Sequence, residues 1–527
     1  MIGASILTVK ETGIVELLPA QRDVRISTQR ATLDESSFDA HDAVIVIAYR
    51  EMTPALLRRM PFGTQLQRQF ERQTRSRSTV SMLTTHVGAQ STAYIVAVAK
   101  TASAFEQLSL GGRIWKALAS DAPRRVLIAT WEVPAQQQTA LLQNILSAAL
   151  AGSAQVPAIK SKRSPHAALE SVTLYSDAAK IDVSRALAVD RGNHVARWLT
   201  ALPPNVLDSG TYRRALGRIA RQHRFGFTFL DVKALARQRA GAFLAVARAN
   251  EHSNAGIARI SRRARDRSNV RGRIALVGKG ICFDTGGINL KPHKYMYLMH
   301  EDMQGSAVAL GTLLALSELD APFDIDCWLA ITENNIGPRA YRPQEVVTAA
   351  NGVTIQVVHS DAEGRMALAD TLALAARDKP DLILDFATLT GACVTALTER
   401  FSGVFTNRAD WHAALELAGR QSGERVWPFP MDEDFDADLE SAIADVLQCT
   451  MESKGDHILA ARFLNRFVPS EIPWIHLDLA ASNRSGGLAH VPTDYTGFGV
   501  RYATHLLLDH GLVGRTSGRK ARTRAGR

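Results

Sequence analysis

The chain has 527 residues, 46% of them hydrophobic and 22% charged, with a formal charge of +10 and a mean hydropathy near zero at −0.07. This is the composition of a soluble globular protein of roughly two to four domains, long enough to bury a large core without disulfide or structural-metal staples. Its four cysteines (Cys282, Cys327, Cys393, Cys449) are far apart and show no C-x-x-C spacing, which excludes a zinc ribbon or a disulfide framework and fits a reducing compartment.

The opening segment MIGASILTVKETGIVELL lacks the charged start and long apolar core of a signal peptide. No run reaches the length of about eighteen apolar residues that a membrane helix needs. A cytoplasmic location with no membrane association is therefore expected. Downstream, AVIVIAY (43–49), AYIVAVA (93–99) and RVLIATW (125–131) have the pattern of buried strands. They are interleaved with the helical spacing of ALLRRMPFGTQLQRQFERQ and ALLQNILSAALAG, so an α/β layer domain is expected over 1–160. The polar, proline-bearing stretch AGSAQVPAIKSKRSPH (151–166) marks the boundary, and a linker is expected over 161–185.

A long helical segment, SRALAVDRGNHVARWLT, then stops at Pro203-Pro204. FTFLDV, AFLAVA, RIALVG, DIDCWLAIT, TIQVVH, DLILDFATL and WIHLDLA follow as apolar strand candidates separated by helices. They predict a second, larger α/β domain over 186–514, its sheet covered on both faces. Positive charge concentrates in ARISRRARDRSNVRGR (258–273) and in RTSGRKARTRAGR, read as a disordered basic tail over 515–527. These clusters read as solvated surface, with weak nucleic-acid contact as the alternative.

Three segments carry chemistry. In GKGICFDTGG, Lys279 and Asp284 follow the strand RIALV, at the carboxyl end where open α/β sheets place their sites. The Walker spacing fails there, because Gly280 stands where Ser or Thr is required, and Phe283 replaces the third glycine of the dinucleotide pattern. Lys291 follows, and Asp302 immediately precedes a helical pattern, where it reads either as an N-cap or as a functional carboxylate. In SDAEGR, Asp361 and Glu363 are expected to point the same way from a strand end, with Arg365 close enough to neutralise them. Together Asp284, Asp302, Asp361 and Glu363 would repel one another severely unless divalent cations relieved the repulsion, and a carboxylate-bridged metal pair does this. Oxygen ligands suit Mn²⁺ or Mg²⁺, and Zn²⁺ also accepts carboxylates.

GKGICFDTGGINLKP, EDMQGSA, ENNIGPRAYRP, SDAEGRMALAD and ATLTGA, in this order and spacing, resemble the leucyl (cytosol) aminopeptidases across residues 190–505. The resemblance implies a small amino-terminal α/β domain of macro-like type and a larger catalytic α/β domain with a mixed sheet. It implies removal of the amino-terminal residue from short peptides by a dinuclear metallo-aminopeptidase, usually a homohexamer. Lys279, Asp284, Asp302 and Glu363 would bind one ion and Asp284, Asp361 and Glu363 the other. Lys291 would stabilise the developing oxyanion, and Arg365 would hold a bicarbonate that carries the proton. Thr388, Leu389 and Gly391 would line the substrate cleft through their backbones, with Met299 and His359 near the side-chain pocket. The chain departs from the family pattern at His300, His359-Ser360, Gln344-Glu345 and the 455–461 segment GDHILAA, none of which removes a ligand.

Overall fold

The computed structural model describes residues 16–514 except 21, 23, 50, 77–79, 89, 162–168, 177–180 and 453, so the expected basic tail lies outside the described residues. Among these, strands β1 (Arg25–Arg30), β2 (Ala43–Ala48), β3 (Met82–Val87), β4 (Ser91–Ala97), β5 (Arg125–Trp131) and β6 (Ser171–Ser176) form one sheet in the order β1-β6-β5-β2-β4-β3. All neighbours are parallel except β3 and β4. Strand β2 is buried along its whole length, as a central parallel strand must be when helices cover both faces. Its alternate residues divide between two cores, Ile45 and Ile47 on one side and Val44 and Val46 on the other. Strand β6 falls inside the stretch expected as linker. It pairs with both β1 and β5, so the first sheet draws on residues 171–176 as well.

The remaining strands are β7 (Gly226–Asp231), β8 (Gly256–Arg262), β9 (Gly272–Asp284), β10 (Phe323–Asn334), β11 (Val346–Thr348), β12 (Thr354–Gln356), β13 (Leu382–Ala387), β14 (Ser402–Thr406), β15 (Val426–Pro428), β16 (Val446–Leu447) and β17 (Trp474–Asp478). Eight of them form a mixed sheet, β15-β14-β17-β13-β9-β10-β8-β7, and β11-β12-β16 form a small separate one. At the centre, β9 runs parallel to both β13 and β10. The helix Gln304–Glu318, between β9 and β10, adds Val308 and Leu310 to the core on one face. The helix Glu363–Ala376, before β13, adds Met366 and Leu368 to the core on the other. Connections that leave a strand on opposite faces open a crevice at its carboxyl end, which is where an α/β sheet holds ligands.

The structure departs from the sequence reading in several places. AFLAVA is not a strand but the core of a short helix, Gly241–Ala247. A short apolar run bounded by glycine is ambiguous between strand and buried helix. Here its alanines and packing against the Glu363–Ala376 helix, where the Phe243 N–H donates to Asp370 at 2.8 Å, decide for helix. TIQVVH contributes only three residues, to the small sheet. Conversely, β8 (Gly256–Arg262) runs into the arginine-rich 258–273 segment, whose charge hid it. Arg262 is buried there and donates to the Ala321 and Phe323 carbonyls, while Arg259 and Arg263 meet Asp326, Arg265 meets Asp320 and Arg267 meets Asp324. That cluster is largely neutralised within the fold.

Helices Ser184–Thr200 and Gln304–Glu318 cross at Gly192 and Gly311 so closely that a Cβ on Gly311 would lie 2.5 Å from the Gly192 carbonyl oxygen. Gly217, in helix Ser209–His223, has room: a Cβ there would come no nearer than 3.6 Å to Phe227. We expect Gly311→Ala to lower stability by about 1–3 kcal/mol through overpacking. Gly217→Ala is expected to be neutral or to add up to about 1 kcal/mol of helix propensity. Thermal denaturation of the two variants checks this, and the reverse ranking would contradict the packing described.

Candidate active site

Lys279 and Asp284 are an odd number of residues apart, so a regular strand would send them to opposite faces. The β9–β10 register shows why it does not. Ile281 pairs with Thr332 and Asp284 with Asn334, so β9 carries one extra residue there. This β-bulge re-aims Asp284 to the face that Lys279 already occupies. Glycines fit the close contacts around it. A Cβ on Gly278 would lie 2.4 Å from Ser306 Cα in the Gln304–Glu318 helix, and one on Gly364 would lie 2.6 Å from Lys279 Nζ.

Two lysines, Lys279 buried and Lys291 half-buried, organise the carboxylates. Lys279 Nζ lies 2.8 Å from Asp302 Oδ1 and 3.0 Å from Glu363 Oε1, and donates to the Thr388 carbonyl at 2.8 Å. Lys291 Nζ lies 2.8 Å from Asp284 Oδ2 and 2.6 Å from Asp361 Oδ1. Carboxylate oxygens of Asp284, Asp361 and Glu363 converge within 4.8 Å of one another, a spacing that can hold a metal ion. Asp284 Oδ1 accepts from the Gly286 N–H and from Asn334 Nδ2, both at 2.8 Å, and Thr388 Oγ1 donates to Asp302 Oδ1 at 2.7 Å.

Four acids against two lysines leave an excess of negative charge. Burial, reinforced by Glu363, pushes the Asp284 pKa up, and burial with Glu363 and Asp284 raises that of Asp302 well above its ordinary value. Asp361 is raised by burial and by Asp284. Burial acts against both lysine ammoniums, yet the surrounding carboxylates outweigh it and hold both pKa values above that of an ordinary lysine. Asp302 Oδ2 and Glu363 Oε2 are buried and accept no hydrogen bond. A buried carboxylate oxygen without a donor is costly, and hard cations are what such oxygens bind best.

The loops reach this geometry differently from the strand-end picture. Asp302 does not cap the following helix. It ends a turn of 3₁₀ helix at Met299–Glu301, and Met303 stands at the cap position without a side-chain bond. Glu363 opens its helix while Asp361 lies in the preceding turn, so the two acids converge across a strand-free corner rather than along a strand. That corner is tied down from several sides. The Ser360 carbonyl accepts from Tyr341 Oη at 2.7 Å and Asn334 Nδ2 at 3.0 Å, and Ser360 Oγ donates to the Gly286 carbonyl at 2.6 Å. Gln448 Oε1 accepts the Val358 and His359 N–H groups, and its Nε2 donates to the Ala362 carbonyl, each at 3.0 Å. Asn334, Tyr341 and Gln448 were not singled out from sequence. The first two lie in the quoted motif ENNIGPRAYRP, whereas nothing around Gln448 signals its role.

Arg365 does not neutralise Asp361 or Glu363. Its side chain is 3% exposed, and its Nη2 meets both oxygens of Asp456, at 2.8 and 2.9 Å. The residues expected along the cleft sit as follows. Thr388 gives its carbonyl to Lys279, and the Leu389 N–H donates to Asp478 at 3.2 Å. Gly391 opens the helix Gly391–Leu397, with open space where a Cβ would project. Met299 is half-buried and His359 is exposed, with its Nδ1 accepting the Asp361 N–H at 3.2 Å. His300 turns to the Tyr495 hydroxyl at 2.9 Å.

Residues 194–504 match the family model of the cytosol aminopeptidase family, catalytic domain. A probable cytosol aminopeptidase of Synechococcus sp. (strain CC9605) is 37% identical over 346 residues, 65% of this chain and 69% of the relative. Another, of Nitrobacter winogradskyi, is 36% identical over 439 residues, 79% of this chain and 84% of the relative. The structure of a mutant tomato leucine aminopeptidase superposes with a TM-score of 0.81 at 24% identity, covering 95% of this chain and 99% of that one, which establishes a shared two-domain fold. The chain belongs to the cytosol aminopeptidase family and is a metal-dependent aminopeptidase of the leucyl type.

Proposed function

We propose that the cluster of Lys279, Asp284, Asp302, Asp361 and Glu363 holds two divalent cations, Mn²⁺ or Zn²⁺ with Mg²⁺ as a further candidate. The enzyme would use them to remove the amino-terminal residue from short peptides. The observation that carries this reading is the pair of buried, undonated oxygens, Asp302 Oδ2 and Glu363 Oε2, set among carboxylates that have more negative charge than their lysines can balance. Asp284 and Glu363 would bridge the ions, with Lys279 and Asp302 completing one set of ligands and Asp361 the other. When bound, the metals supply Lewis-acid polarisation of the scissile carbonyl and a water made acidic enough to attack it.

The chain's own groups do the rest. Lys291, already between Asp284 and Asp361, supplies the cation that faces the charge developing on the carbonyl oxygen. A metal and Asp302 would together receive the substrate's free amine, which restricts the enzyme to chain ends. Thr388, Leu389 and Gly391 line the substrate cleft, and Met299 and His359 border the residue to be removed. A homohexamer acting in the cytoplasm is the assembly and location we propose; among the described residues no helix is long and apolar enough to cross a membrane. Nucleic-acid contact draws no support from the 258–273 arginines, which are largely spent on aspartates and carbonyls.

Activity on an aminoacyl-arylamide panel should appear with Mn²⁺ or Zn²⁺ and vanish on chelation. Lys291→Ala should lower kcat by about 10²–10³-fold, the scale of losing one oxyanion-stabilising group. A metal-loaded enzyme inert on the panel, or an unimpaired Lys291→Ala variant, would refute the reading.

Lys279 gives a second test. Its ammonium must lose a proton to become a ligand, and the surrounding carboxylates hold its pKa above the ordinary lysine value against the effect of burial. Metal uptake near neutral pH should therefore release about one proton from this residue, and affinity should rise with pH because metal and proton compete. Calorimetry in buffers of different ionisation enthalpy reads this release. Lys279→Met should abolish that share of it, and unchanged release in the variant would remove Lys279 from the ligand set.

A further inference from the structure

Arg365 lies two residues after Glu363 on the same helix, and its side chain is sealed from solvent. A buried guanidinium beside a metal cluster is a ready seat for a small oxyanion, since it offers planar, charge-assisted donors. Here the seat is taken. Asp456 places both carboxylate oxygens on Nη2, and Nη1 donates to the Gln448 carbonyl at 3.2 Å. Arg365 Nε is buried and finds no acceptor, so the guanidinium has donor capacity left but no free Nη2 edge.

The position of Asp456 is itself specified. It is the first residue of the helix Asp456–Asn465, where the unpaired N–H groups of the first turn favour a negative side chain. Gly455 precedes it at φ 62°, in the left-handed region that glycine enters without strain. The Asp456 side chain is 23% exposed whereas that of Arg365 is 3% exposed, so the carboxylate is the solvent-facing member of the pair. The pair is also coupled to the site. Gln448, whose carbonyl takes Arg365 Nη1, holds the 358–362 corner that carries Asp361 through its side chain.

We propose that Asp456 is the resident anion of Arg365: the chain supplies from its own sequence the carboxylate that a dissolved oxyanion such as bicarbonate would otherwise provide. Asp456 is then a positioning residue that acts through Arg365. It keeps the guanidinium oriented and neutralised beneath the metal corner, and it makes the enzyme independent of dissolved carbonate. The proposal rests on the aminopeptidase reading for its activity arm but not for its binding arm.

The binding arm titrates ¹³C-bicarbonate into the full-length, metal-free protein and follows its NMR line width. The unmodified chain should show no saturable binding, and Asp456→Gly should bind it through the vacated guanidinium. Saturable binding to the unmodified chain that Arg365→Lys abolishes would overturn the proposal independently of any activity measurement. In the activity arm, the metal-loaded unmodified enzyme should turn over equally in carbonate-free and bicarbonate-supplemented buffer. Asp456→Gly should lose activity by roughly 10–100-fold, the scale for a residue that orients the groups around a metal site, and regain much of it with added bicarbonate. A merely structural salt bridge would show loss without rescue. That outcome, or stimulation of the unmodified enzyme by bicarbonate, would contradict the assignment.

Discussion

Everything at the carboxyl edge of the large sheet answers to one constraint: four carboxylates are held together, three of them buried and the fourth, Asp361, half-buried. Coulomb repulsion between like charges a few ångströms apart in a low-dielectric setting is severe, and neither Lys279 nor Lys291 cancels it alone. Each lysine therefore bridges two acids, Lys279 joining Asp302 to Glu363 and Lys291 joining Asp284 to Asp361. Asn334 and Gly286 donate to the Asp284 oxygen that Lys291 leaves, and Thr388 adds a second donor to the Asp302 oxygen that Lys279 holds. The fold is consistent with the same demand. A bulge turns Asp284 inward, Gly364 leaves room for the Lys279 side chain, and helices on opposite faces open the crevice. The arrangement resembles a structure held ready for cations, with lysines standing where positive charge is needed.

Much of this was legible in the sequence because the acids fall at predictable element ends. Asp284 ends an apolar strand and Glu363 opens an apolar helix, so their convergence follows from chain topology, although Lys279, expected after the strand, lies within β9. Less legible was the geometry that makes it work. A β-bulge leaves no mark in a hydrophobic pattern, so the odd spacing of Lys279 and Asp284 gave no hint that they share a face. Composition misled where it competed with burial. AFLAVA has the apolar content of a strand, and β8 has the charge of a surface loop. Yet the first is helix because it packs all round, and the second is strand because Arg262 and its neighbours find aspartates and carbonyls inside the fold.

Arg365 shows the same limit at the site itself. Two residues from Glu363 in sequence, it reads as a neutralising partner for the nearby acids or as a seat for a free anion. The structure instead pairs it with Asp456, 91 residues away, on a segment where the sequence departs from the family pattern. Only the three-dimensional path of the chain connects that departure to Arg365. The departures at 455–461 therefore bear on how the site is supported.

The central claim is that the lysine-bridged carboxylates form a dinuclear metal site with Lys279 among its ligands. Anomalous diffraction from crystals grown with Zn²⁺ or Mn²⁺, collected at the metal edge, tests it most directly. The account predicts two peaks per chain, one of them about 2.0–2.2 Å from both Lys279 Nζ and an Asp302 oxygen, with Lys291 displaced from Asp284 and Asp361. A single peak, or a metal-loaded structure in which Lys279 still donates to Asp302 and Glu363 as an ammonium, would contradict it.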